Sequence, residues 1–317
     1  MKTVVYVVLF VLVIFGIASA QINAQVETEP VRVAADTAKG FAYPYYYYVP
    51  KALRGSSKEH TILVLPNNSG KSSDDPDFQE EDVKKQLKKN VGFADRLGVV
   101  LIEPVFPRPA ADWQIYTHAL DRDSMLTDKK EYKRFDLQLI AMIDDARERL
   151  KDEKLNAEKR VLMFGFSASG MFVNRFAFLH PTRVKAAVIG SPGGWPIAPA
   201  ATYKGKTLGY PIGTSDLKTV AGKNLDIKNL RKVPLFMLLG DKDENDSVIY
   251  RDSYEKEDEE LVFEIFGKTP VERWDDSEKL YKENKLNAEF HLYPNVAHTL
   301  NKEMVTDVLA FLKKYTL

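Results

Sequence analysis

An α/β fold, with a mostly parallel central sheet and helices on both faces, is what this 317-residue sequence predicts. Strand-like and helix-like patterns alternate along the chain, which argues for parallel strands joined by helical crossovers. The strand-like runs are also nearly continuous in apolar residues, as strands buried on both faces are.

The elements follow in order. Tyr45 to Val49 and Thr61 to Leu65 are aromatic and branched runs that favour extended chain. Helical periodicity covers Glu81 to Leu97, Val99 to Glu103 is a strand, and Tyr132 to Leu150 is helical again. Arg160 to Phe164 is a strand that runs into a turn at Ser167, a helix follows, and Val184 to Ile189 is the next strand. Val233 to Leu239 and Ala288 to Tyr293 read as two further strands, and Asn301 to Tyr315 as a closing amphipathic helix.

Ahead of these elements, Met1-Lys2 is a positive start, Thr3 to Ile17 is almost wholly apolar, and Ala18-Ser19-Ala20 is a small-residue cleavage site before Gln21. That pattern predicts a signal peptide over residues 1–20 and an exported product, secreted or periplasmic. Only retention of the segment would tie the chain to a membrane. Residues 21–39 are polar and read as flexible, which leaves 40–317 as the domain. There is no cysteine, so an exported form must rely on its core rather than on disulfides. Lysine plus arginine equals aspartate plus glutamate, 45 each, so no global field favours nucleic acid.

The most informative motif is Gly165-Phe166-Ser167-Ala168-Ser169-Gly170, directly behind the strand ending at Phe164. A serine with tiny residues two positions away on either side, between strand and helix, is the layout of a nucleophile elbow. Ser169 is the poorer nucleophile, because it would put Met171 at the crowded position. A serine hydroxyl needs a base, and the base an orienting acid. His298 lies in a loop after a strand and before the last helix. The other histidines have plainer readings: His291 sits inside a strand, His180 at a helix end, and His60 at the surface. Asp241, Asp243 and Asp246 share the loop after Leu239, and any of them is placed to be the acid. Asp241, Asp243, Asn245 and Asp252 match positions of a calcium loop, but Asp246 stands where that loop needs glycine, so no metal is assigned. Gly70-Lys71-Ser72 lacks the leading glycine of a phosphate loop.

With Gly240-Asp241-Lys242-Asp243, Pro294-Asn295-Val296-Ala297-His298 and Tyr45-Tyr46-Tyr47-Tyr48-Val49-Pro50, the chain resembles the α/β-hydrolase superfamily. More narrowly it is similar to dienelactone-hydrolase and polyhydroxybutyrate-depolymerase-like esterases. The resemblance implies a serine hydrolase that cleaves small or polymeric carboxylic esters without a cofactor. It points to Asp243 as the acid, with Asp246 the alternative. It places the oxyanion donors at Ala168 and in the loop Pro66-Asn67-Asn68, where relatives often carry His-Gly-Gly. Trp195, Trp113 and Tyr116 fall in loops on the active-site face and are candidate substrate-binding residues. A serine peptidase on the same fold and a non-catalytic binding protein are the alternative functions.

Overall fold

The computed structural model describes residues 29–316, so the predicted signal peptide lies outside the described residues. One sheet holds β1 (Val31–Val33), β2 (Tyr45–Tyr48), β3 (Ile62–Val64), β4 (Val100–Pro104), β5 (Val161–Phe166), β6 (Val184–Gly190), β7 (Leu235–Gly240) and β8 (Ala288–Tyr293). Their spatial order is β1-β2-β4-β3-β5-β6-β7-β8. The pairs β1/β2 and β2/β4 are antiparallel, and every other neighbouring pair is parallel.

The main helices are α1 (Pro76–Leu97), α2 (Phe135–Asp152), α3 (Ala168–Leu179), α4 (Lys256–Ile265), α5 (Trp274–Glu283) and α6 (Lys302–Lys313). One sheet face packs on α2, α3 and α5 through residues such as Leu139, Ile143, Phe172, Phe176 and Tyr281. The other face packs on α1 and α6 through Val83, Leu87, Phe311 and Leu312. Helix α1 starts earlier than its apolar period suggests, because Pro76 pre-sets the first turn and the Asp75 carboxylate accepts from Asp77 N.

The four consecutive tyrosines of β2 show why alternation along a strand matters. Tyr45 and Tyr47 donate to Asp145 and Glu153 on one face, each at 2.6 Å. Tyr46 and Tyr48 donate to Glu80 and Asp95 on the other, at 2.6 and 2.9 Å. The strand thereby ties both helical layers to the sheet. Two readings need correction here. Residues 21–39 were expected to be flexible, yet Val31–Val33 form an edge strand. Val33 is buried there and Arg32 makes a bidentate pair with Glu80, so burial and charge pairing order the segment. His60, expected at the surface, is buried beside the strand that follows it.

A third apolar cluster lies outside the two sheet faces. It joins Trp195, Leu208 and Ile212, from the long connection after β6, to Val248, Tyr254, Val262 and Phe266. The segment between β7 and β8 is thus a folded layer on that connection. Within it, Val262 and Ile265 of α4 face inward while Glu257 and Glu260 are exposed.

Candidate active site

Steric necessity builds the turn at Ser167. A Cβ on Gly165 would lie 2.1 Å from Ser169 O, and one on Gly170 would lie 2.6 Å from Gly190 O. Both positions must be glycine if β5 is to turn this sharply into α3. Ser167 itself sits at φ 61° and ψ −126°, a conformation that side chains adopt only under constraint. Its N–H is held by Gly190 O at 2.9 Å. Ser169 stands where the usual pattern has glycine, and its hydroxyl accepts from Phe166 N at 3.0 Å and donates to Phe166 O at 2.9 Å. The substitution closes the elbow with two extra hydrogen bonds.

The three aspartates after β7 have separate partners. Asp243, 2% exposed, meets His298 Nδ1 with both oxygens, at 3.0 and 2.9 Å. Asp246 is instead gripped by Arg273 at 2.9 and 2.6 Å, and it caps a short turn through Val248 N. Asp241 accepts from Asn295 N at 2.7 Å, which pins the loop that carries His298. Gly240 lets the two loops touch, since a Cβ there would lie 2.1 Å from Val296 O. With Nδ1–H donated to Asp243, the neutral imidazole leaves Nε2 free to accept a proton. The ring packs on Phe166, the residue before Ser167, at 4.9 Å between centroids. Among the described residues the Ser167 hydroxyl makes no hydrogen bond, so the serine and histidine are not bonded to each other. Substrate-free sites often show this looseness.

Facing the elbow is the loop after β3. Asn68 Nδ2 donates to Phe166 O at 3.1 Å. Asn67 is buried, and its side-chain amide bonds both the N–H and the carbonyl of Phe106 at 2.9 Å. Side chains therefore hold the loop, and among the described residues no acceptor engages the backbone N–H groups of Asn67, Asn68 and Ala168. The histidine that secures this arrangement was not singled out in the sequence. His118 Nδ1 accepts from Ser69 N at 3.2 Å, and His118 Nε2 lies 2.8 Å from Phe106 O. It is fully buried, and desolvation pushes its pKa down to about 4. The signal missed was position alone: it lies in a loop after a strand, with no motif around it.

The candidate substrate-binding aromatics part company. Trp195 is 1% exposed, donates Nε1 to Ile212 O at 2.9 Å and stacks on Phe266. It packs the layer above the sheet and presents no face to a ligand. The bulk of indole and the long connection after β6 together favour that internal role. Tyr116 is nearly buried, packs in the same cluster as Ala168, and lies beneath the Arg108 guanidinium at 4.0 Å. Trp113 is 49% exposed. Asp252, the last position of the calcium-loop spacing, is paired with Arg108 at 2.7 Å. Among the described residues no group of three or more metal-ligating side chains is assembled.

The sequence matches no family model and no curated protein. Solved structures do match. A poly(aspartic acid) hydrolase from Sphingomonas sp. KT-1 aligns at TM-score 0.59 and 18% identity, over 92% of this chain and 99% of that one. A poly(3-hydroxybutyrate) depolymerase from Bordetella parapertussis aligns at TM-score 0.56 and 15% identity, over 90% of each chain. An S-formylglutathione hydrolase from Agrobacterium tumefaciens aligns at 0.52 and 13%, over 91% of this chain and 95% of that one. The fold is that of the α/β-hydrolases.

Proposed function

We propose that the protein is an exported serine hydrolase that cleaves carboxylic esters. The observation that carries the reading is the two-oxygen contact of Asp243 with His298, beside a serine held at positive φ in a strand-to-helix elbow. Ser167 Oγ attacks the acyl carbon and passes its proton to His298 Nε2, while Asp243 holds the imidazole in the required tautomer. The carbonyl oxygen gains negative charge as the new C–O bond forms. The N–H of Ala168 and the backbone of the Asn67–Asn68 loop are the donors available to meet it. Collapse of the intermediate breaks the ester C–O bond, and the imidazolium returns its proton to the departing alcohol. Water then repeats the sequence on the acyl-enzyme and frees the acid. One structural neighbour is named for a polyester, poly(3-hydroxybutyrate), which keeps polymeric esters beside small ones as substrates.

A fluorophosphonate probe tests the nucleophile. It is expected to label the wild-type protein at Ser167 and to leave Ser167→Ala unlabelled, with ester turnover lost in the same variant. A wild-type protein that takes no label and cleaves no ester removes the enzyme reading in favour of a binding protein. Turnover of peptides in preference to esters favours a peptidase. Export has its own measurement: mass spectrometry of secreted material should find an N-terminus at or near Gln21. Retention of Met1 in a membrane fraction would reverse it.

A further inference from the structure

We infer that the cleft between Trp113 and Tyr250 is the subsite for the non-reacting end of the substrate, and that it takes a neutral, flat, apolar group such as a phenyl ring. The inference rests on the ester-hydrolase reading above and names the substrate class that the site selects. The cleft measures about 240 Å³ and is lined by Ser72, Arg108, Trp113, Tyr250, Arg251 and Asp252. Its two aromatic walls are 49% and 53% exposed, whereas Trp195 and Trp274 are 1% and 5% exposed. Two large rings left half in water along one cleft offer stacking surface that the fold itself does not use.

Its charge is already spent. Arg108 donates to Asp252 at 2.7 Å and to Ser69 O at 2.8 Å, and Arg251 is paired with Glu259. A ligand carboxylate would have to displace one of these partners, whereas a neutral group would not. Arg108 links the cleft to the loop that faces the elbow. It holds Ser69 next to the Asn67–Asn68 loop and rests on Tyr116, which packs in the cluster containing Ala168. A substrate whose carbonyl lies at Ser167 therefore has a path past the oxyanion loop into the cleft.

The test reads selectivity and binding separately. Selectivity is the ratio of kcat/KM for para-nitrophenyl phenylbutanoate to that for para-nitrophenyl acetate, and a second pair, phenethyl acetate against ethyl acetate, puts the ring on the alcohol side. The Trp113→Ala, Tyr250→Ala double variant is expected to lower one of these ratios about tenfold, as loss of two stacking contacts implies. The pair that responds tells which side of the ester enters. Trp113→Phe with Tyr250→Phe should restore the ratio, because flat faces are restored. Binding is read without turnover, by acrylamide quenching of the tryptophan fluorescence. Phenylbutanamide should shelter the exposed tryptophan of the wild type and give no such protection in Trp113→Phe. Esters cleaved with unchanged ratios overturn the subsite and leave the hydrolase reading standing. Sheltering of Trp113 with neither ester cleaved supports the cleft and overturns the hydrolase reading.

Discussion

Asp243→Asn is expected to lower kcat for a simple ester by about 10⁴, as loss of the orienting carboxylate does in a serine protease triad, with little change in stability. The asparagine amide offers His298 Nδ1 a donor or a weaker acceptor in place of two carboxylate oxygens at 3.0 and 2.9 Å. The imidazole then loses both its tautomer and the partner that stabilises its charged form. Asp246→Ala is expected to do the reverse. Arg273 is 0% exposed and its guanidinium is paired bidentately with Asp246, with further bonds to the carbonyls of Gly194 and Gly267. Deleting the carboxylate leaves a buried cation uncompensated, a loss of about 3–5 kcal/mol in comparable pairs. Steady-state kinetics with urea unfolding on the same two variants checks both. If turnover collapses in a stable Asp246 variant and survives in Asp243→Asn, the acid is Asp246.

Acid should weaken the fold through His118. Its Nδ1 accepts from Ser69 N and its Nε2 faces Phe106 O, so the buried ring is neutral. Burial holds its pKa at about 4, against about 6.5 in an unfolded chain. Between those values the unfolded state binds the extra proton and the native state does not, so stability falls as the pH drops through that window. The effect amounts to roughly 2–3 kcal/mol by pH about 4.5. Asp121 and Glu103, pushed up to about 7 and about 8 by burial, act in the opposite sense. The histidine's share is therefore the difference between wild type and His118→Gln. On going from neutral to acid pH, the urea midpoint of the parent should move in the destabilising direction relative to that of the variant, whichever way the two shift in absolute terms. An identical pH dependence in both would mean that His118 is not held neutral, and the tie between the Asn67–Asn68 loop and Phe106 would lose its support.

Much of the scaffold was legible because it is governed by local rules. The apolar runs of β5, β6 and β7 announce strands buried on both faces, and they are. Gly165 and Gly170 mark a turn that admits no Cβ. Asn301, just before the closing helix, accepts from Met304 N as a cap should. Each of these is decided by residues a few positions apart, where period and sterics are the same in any fold.

Pairings across long separations were not legible in that way. Three aspartates in one loop look alike to any local rule. The one that reaches His298, 55 residues on, was settled when Gly240 let the two loops close and Arg273 drew Asp246 aside. Trp195 and Trp113 were equally plausible binding residues, but the layer from the β7–β8 connection covers the first and leaves the second in water. Val31–Val33 carry little strand signal, and pairing with β2 supplies what they lack. The sequence by itself determined the succession of strands along the chain, the turn at Ser167 and the loops that carry Asp243 and His298. Only the tertiary structure decided which side chains meet, because burial and charge pairing depend on what the rest of the chain brings alongside.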